Sequence, residues 1–174
     1  APTAANKTES TPEDTAKAFT PDGWLKSGDF GFMKNGCLYI TGRAKDIIFV
    51  NGQNYYPHDI VNVAEEVEGI ELNKIAVAGF FNNDNGRDET IAFVFHRGSL
   101  EKFMPVAAAL QRVVNSRTGL ELDRILPVKD IPRTTSGKLQ RFKLLEQYKN
   151  GLFSDVEQEL ERARYKAKMD IISG

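Results

Sequence analysis

The chain has 174 residues, 41% of them hydrophobic, with 23 Lys plus Arg against 24 Asp plus Glu. That length suits one ordinary domain with appendages, and that apolar share builds a core and excludes a disordered chain. The near-cancelled charge leaves no electrostatic footprint for nucleic acid.

Residues 1–15 are polar, small and Pro-containing, and are expected to be poorly ordered. They lack the basic start and apolar core of a signal peptide, and the absence of an initiator Met suggests a piece of a longer protein. Residues 21–41 alternate turn signals with short apolar runs, which predicts brief strands; Cys37 follows the NG turn at 35–36 as a small strand hydrophobe. DIIFV at 46–50 reads as a buried strand turned by NG at 51–52. Pro57 then starts a helix with Ile60, Val63, Ala64 and Val67 on one face, capped by Gly69. Residues 74–81 and 89–96 read as core strands joined by NNDNGRD. Pro105 opens a second helix, with Val106, Leu110, Val113 and Val114 apolar, and Gly119 closes it. RILPV at 124–128 is a short edge strand, because Pro127 cannot donate to a ladder. A helix carrying Leu139, Phe142 and Leu145 follows, and after residues 150–151 a last helix carries Leu152, Val156 and Leu160. The expected fold class is α/β (α+β), a small central sheet flanked by helices.

Several chemistries drop out. One cysteine excludes an internal disulfide framework and fits a reducing cytoplasm. No apolar run approaches the roughly 20 residues that span a bilayer. His58 and His96 have no Cys or carboxylate at metal-ligand spacing, so no metal site is expected. No GxSxG elbow or Cys–His signature supports hydrolysis. Tyr55 and Tyr56, beside Pro57, are expected to wedge a strand-to-helix turn into the core.

The segment PRTTSGKLQR at 132–141 places Lys138 behind small hydroxyl residues and Gly137. It is not a P-loop: Pro132 stands where the first glycine is needed, and Leu139 where Ser or Thr is needed. It is an exposed turn, from which a lysine can swing its compact charge toward an anionic oxygen or simply serve solubility.

Three segments in order change the reading: SGDFG at 27–31, GRAKDIIFVNGQNYYPHDI at 42–60, and PRTTSGKLQR. Together they resemble the adenylate-forming enzyme superfamily, which includes acyl-CoA synthetases, fatty acyl-AMP ligases, luciferases and peptide-synthetase adenylation domains. The first resembles its TGD segment, with Ser27 replacing Thr; the second its GRxKDxI hinge segment; the third its P-x-T-x-S-G-K-x-x-R loop. The resemblance runs from about residue 11 to about 148. The wording NYYPHDI is similar to that of fatty acyl-AMP ligases, with acyl-CoA ligases and amino-acid adenylation domains as alternatives.

The resemblance implies an ATP-dependent ligase that joins a carboxylate to the α-phosphate of ATP, with Mg, and passes the acyl group to a pantetheine thiol of an acyl carrier protein or CoA. It implies that Asp29 binds the ribose hydroxyls, with Arg43 near the ribose, although Asp29 could simply cap a turn and Arg43 could pair with Asp46. Lys45 and Asp46 would lie at the hinge, Gly52 would face the pantetheine arm, and Lys138 would bridge the substrate carboxylate and the phosphate. The implied division is residues 1–42 as the tail of an N-terminal subdomain, 43–150 as the C-terminal subdomain, and 151–174 as a helical extension. The phosphate loop and acyl pocket of the family are not in this sequence, so its own N-terminal subdomain is an expected partner and the chain alone is expected to be inactive. A rival from another class is a non-catalytic interaction module that kept the fold; the intact Asp29, Arg43 and Lys138 oppose it.

Overall fold

The computed structural model describes residues 12–172. The expected disorder of residues 1–15 thus falls mostly outside the described residues, but residues 12–15 lie in a short helix, α1 (Pro12–Ala18). The chain divides into two compact units between Lys45 and Asp46.

In the first unit, β1 (Asp29–Lys34) and β2 (Cys37–Arg43) pair antiparallel. Asn35 and Gly36 both have positive φ, the geometry that lets a two-residue turn match the strand twist. The register slips between Phe30 and Gly31, leaving Thr41 unpaired, and the Thr41 hydroxyl donates to the Phe30 carbonyl at 3.2 Å. Gly31 is required here: a Cβ would stand 2.5 Å from the Tyr39 carbonyl oxygen. Cys37 is in a strand as expected but is exposed, so it has no core role.

The second unit is built on a three-stranded sheet of β5 (Ile75–Asn82), β6 (Arg87–Phe95) and β7 (Arg124–Val128), in that order. β5 and β6 are an antiparallel hairpin, while β7 runs parallel to β6, which requires the long crossover supplied by α3 (Leu100–Thr118). From Glu89 to Val94 the central strand is buried without alternation, as in a strand covered on both faces. β7 lies at the edge, where Pro127 is tolerated. A smaller hairpin, β3 (Ile48–Val50) with β4 (Gln53–Tyr55), packs against the sheet. In β3 only Ile48 is buried and Phe49 faces out, so this segment is half-buried rather than the buried strand expected.

Helix ends depart from the sequence reading for local reasons. α2 (Pro57–Ala64) starts on Pro57 as expected but stops a turn early, its end tightened by hydrogen bonds from Glu66 to Val63 and from Val67 to Ala64. Gly69, at φ +92°, therefore ends the following turn and not the helix. α3 begins at Leu100, so Pro105 sits inside it. One hydrogen bond is lost at Pro105, and the earlier turn persists because it buries Phe103 completely. Gly119 caps α3 in the left-handed conformation. In α4 (Arg141–Lys149) the buried residue is Leu144; Phe142 is exposed and Leu139 precedes the helix. α5 (Ser154–Ile172) sends Leu160 into the same core and leaves Leu152, before it, exposed.

α5 is also tied to the sheet by charge. Glu89, 1% exposed, accepts from Arg124 at 2.9 Å, Arg87 at 3.3 Å and Asn85 at 2.5 Å. Arg124 in turn donates to Glu157 of α5 at 3.1 Å. Burial first, then the nearby Glu157 carboxylate, push the Tyr148 hydroxyl up to about 12.

Candidate functional site

The sequence singled out six residues; four of them lie in three local structures, and Lys45 and Asp46 lie in the 3₁₀ turn Ala44–Asp46. The first is the open end of the β1–β2 hairpin. Asp29 begins β1, Arg43 ends β2, and the two are register partners. Arg43 Nε donates to Asp29 Oδ1 at 3.1 Å, and Ala44 N–H donates to the Gly28 carbonyl at 2.8 Å beside it. The alternative pairing of Arg43 with Asp46 does not form. The Asp29 side chain keeps 29% of its exposure, and Oδ2 lies outside the Arg43 bond, so it can accept O–H groups from a ligand.

The second structure is the turn at Gly52. Asn51 and Gly52 have φ of 51° and 77°, the paired positive values of a tight hairpin turn between β3 and β4. No atom lies within 4 Å of where a Gly52 Cβ would be, so the backbone there is open to close approach. Tyr55 and Tyr56 follow; of the two expected to wedge the turn into the core, Tyr55 packs on it, while Tyr56, beside Pro57, is half-buried with its ring tilted toward His58.

The third is the lysine loop, which folds as a small hairpin. Arg133 and Leu139 bridge, Gln140 N–H donates to the Pro132 carbonyl at 2.9 Å, and Thr134 N–H to the Lys138 carbonyl at 2.8 Å. One hydroxyl serves this backbone directly: Thr134 Oγ1 accepts from Lys138 N–H at 3.0 Å, and Ser136 Oγ contacts that hydroxyl at 3.0 Å. Gly137 supplies the positive φ of 82°. The Lys138 side chain is exposed, and among the described residues its ammonium has no ion-pair partner.

Two arginines in that segment, given no role by the sequence reading, brace it. Arg133 donates to the Gly137 carbonyl at 2.9 Å and to the Asn73 carbonyl at 2.8 Å, fastening the loop to the chain entering β5. Arg141, the first residue of α4, pairs with Asp46 at 3.5 Å. Burial, with Arg133 nearby, pushes the Arg141 guanidinium below its ordinary value. The available signal was the presence of an arginine at each end of the loop. Lys45 lies in the 3₁₀ turn Ala44–Asp46, across which the two units divide. Among the described residues no group of His, Cys, Asp and Glu could hold a metal, and no helix is long and apolar enough to cross a membrane.

No family model matches the chain. Individual proteins do. A protein of Caulobacter vibrioides named as an acyl-CoA synthetase is 34% identical over 147 residues, covering 83% of this chain and 25% of its own length. The long-chain-fatty-acid–AMP ligase FadD26 of Mycobacterium marinum is 36% identical over 148 residues, covering 79% and 24%. The solved structure of McyG A-PCP complexed with phenylalanyl-adenylate superposes with a TM-score of 0.81 at 29% identity, covering 91% of this chain and 25% of that one. The chain belongs to the adenylate-forming enzyme superfamily of acyl-CoA synthetases, fatty acyl-AMP ligases and peptide-synthetase adenylation domains, and corresponds to their small C-terminal part. It spans about a quarter of the length of these relatives.

Proposed function

We propose that this chain is the C-terminal part of an ATP-dependent ligase that activates a carboxylic acid, of fatty acyl type, as acyl-adenylate and passes it to a pantetheine thiol. The observation that carries this reading is the build of residues 132–140. Thr134 accepts from the loop's backbone, Ser136 contacts the Thr134 hydroxyl, Gly137 supplies the turn and Arg133 anchors it, so that the Lys138 ammonium stands exposed and uncommitted. A cation held this way can offset the charge that develops as a carboxylate attacks the α-phosphate and pyrophosphate leaves.

Asp29 would accept the two ribose hydroxyls, and Arg43 would fix its carboxylate from the neighbouring strand while lying beside the nucleotide. Mg would enter with ATP, held mainly by the longer protein. Rotation about Lys45 and Asp46 would withdraw Lys138 after adenylation and bring the open Gly52 turn to the thiol arm. The acceptor is a carrier protein or CoA, and the setting is cytoplasmic. Exposed apolar side chains on both faces of the first hairpin (Phe30, Phe32, Met33, Leu38 and Ile40) support the protein's own N-terminal subdomain as the partner that covers them. The fatty acyl-AMP ligase subclass rests on the NYYPHDI wording and on the FadD26 likeness.

The test is acid-dependent exchange of pyrophosphate into ATP by a polypeptide that includes this chain and the rest of its ligase. Exchange should require a fatty acid, and this chain alone should stay at background, because ATP would lose most of its burial and phosphate contacts. Acid-dependent exchange by the chain alone would overturn the fragment reading; no exchange by the longer polypeptide with any carboxylic acid would overturn the ligase reading.

A further inference from the structure

Arg141 is poorly satisfied for a half-buried cation. Its Nε is buried without a hydrogen-bond partner, and among the described residues its one ion pair, to Asp46, is long at 3.5 Å. Arg133, at the other end of the loop, adds like charge. A guanidinium kept only to fill space would be replaced by an apolar side chain at little or no loss of stability. Its placement is specific. Asp46 is the first residue of the second unit, one residue from Lys45, and Arg141 begins α4 directly after Gln140 closes the Lys138 hairpin onto Pro132.

We propose that Arg141 is a positioning residue: its ion pair with Asp46 latches the backbone next to Lys45 to the base of the Lys138 loop, and opens when the hinge changes state. This rests on the ligase reading above. Both partners belong to the second unit, so it is a ψ change at Asp46 itself that moves its carboxylate relative to α4, and the pair can be made in one hinge state and broken in the other. The unsatisfied Nε and the length of the bond make it a weak latch, as a reversible contact must be. Removing it therefore shifts the balance between hinge states and leaves the core intact.

The first test uses this chain and needs no activity. Amide hydrogen exchange is followed in wild type, Arg141→Met, Asp46→Asn and the double variant. Exchange at residues 44–48 should rise about tenfold in each single variant and no further in the double, while the β5 and β6 amides stay protected. Unchanged exchange at 44–48, or loss spread into β5 and β6, overturns the latch. The second test uses the longer ligase and times acyl-adenylate formation and thiol transfer separately. Arg141→Met should change the ratio of the two rates by about 5- to 100-fold, and Arg141→Lys should restore it within a few-fold. Equal scaling of both steps overturns the latch. Lys138→Ala run in parallel separates the two ideas: if it splits the half-reactions and Arg141→Met does not, the latch alone fails, and if it changes neither step, the ligase reading fails.

Discussion

Asp29 and Arg43 face each other as register partners across β1 and β2, with Arg43 Nε donating to Asp29 Oδ1 at 3.1 Å. Both side chains remain partly in water, so the pair contributes roughly 0–1 kcal/mol to stability. Its value lies in orientation, since one carboxylate oxygen is fixed and the other is left for a ligand.

Asp29→Asn should therefore leave the melting temperature nearly unchanged and raise the KM for ATP in the longer ligase. Loss of a charge-assisted hydrogen bond, about 1.5–3 kcal/mol, corresponds to ~10- to 100-fold. An unaltered KM for ATP would leave Asp29 only its pairing with Arg43.

Lys138→Ala should slow acyl-adenylate formation by ~10²–10³-fold, the usual loss when one donor aimed at developing charge is removed. Transfer from synthetic acyl-adenylate to the thiol should run at nearly the normal rate. Equal slowing of the two steps would make the lysine structural.

At Gly52 two effects can be pulled apart. Ala would suffer only from the positive φ, about 1–2 kcal/mol, because nothing stands near its Cβ. Asn tolerates that φ and adds a longer side chain. Gly52→Asn should keep stability close to wild type and slow thiol transfer while sparing adenylation; normal thiol transfer by this variant would remove Gly52 from the pantetheine path.

Arg124 bridges the buried Glu89 to Glu157 on α5. Arg124→Met strips the sheet-to-helix link and leaves Glu89 with Arg87 and Asn85 alone. Urea unfolding of the chain should show a loss of about 3 kcal/mol, and exchange protection should fall first in α5. A stable Arg124→Met protein with α5 fully protected would mean that apolar contacts such as Leu160 hold the helix.

Tyr148 makes the alkaline limb of the stability curve predictable. Its hydroxyl ionises near 10 when unfolded and at about 12 in the fold, so the folded state holds the proton more tightly. The stabilising contribution is complete below pH 10 and is lost as pH rises toward 12. Tyr148→Phe should flatten that limb in chemical denaturation at pH 9, 10 and 11; an unchanged slope would point to other groups.

Much of the molecule was legible in the chain itself because its signals are local. The runs 74–81 and 89–96 carry strand composition on both sides of a turn, and they form β5 and β6. Gly119, Pro57 and the NG pairs dictate backbone angles that no distant contact had to supply. The three motif segments likewise announced Asp29, Arg43 and Lys138 as residues. What only the tertiary structure decided depends on partners far apart in sequence. Pro105 reads as a helix start, yet burial of Phe103 extends α3 a turn beyond it. Arg43 could have met Asp46 three residues on; the cross-strand register gave it to Asp29, and Asp46 went to Arg141, 95 positions away. Periodicity states which faces are apolar, but the pairing of charges waits on where packing places them, because a salt bridge is decided by the last few ångströms of approach.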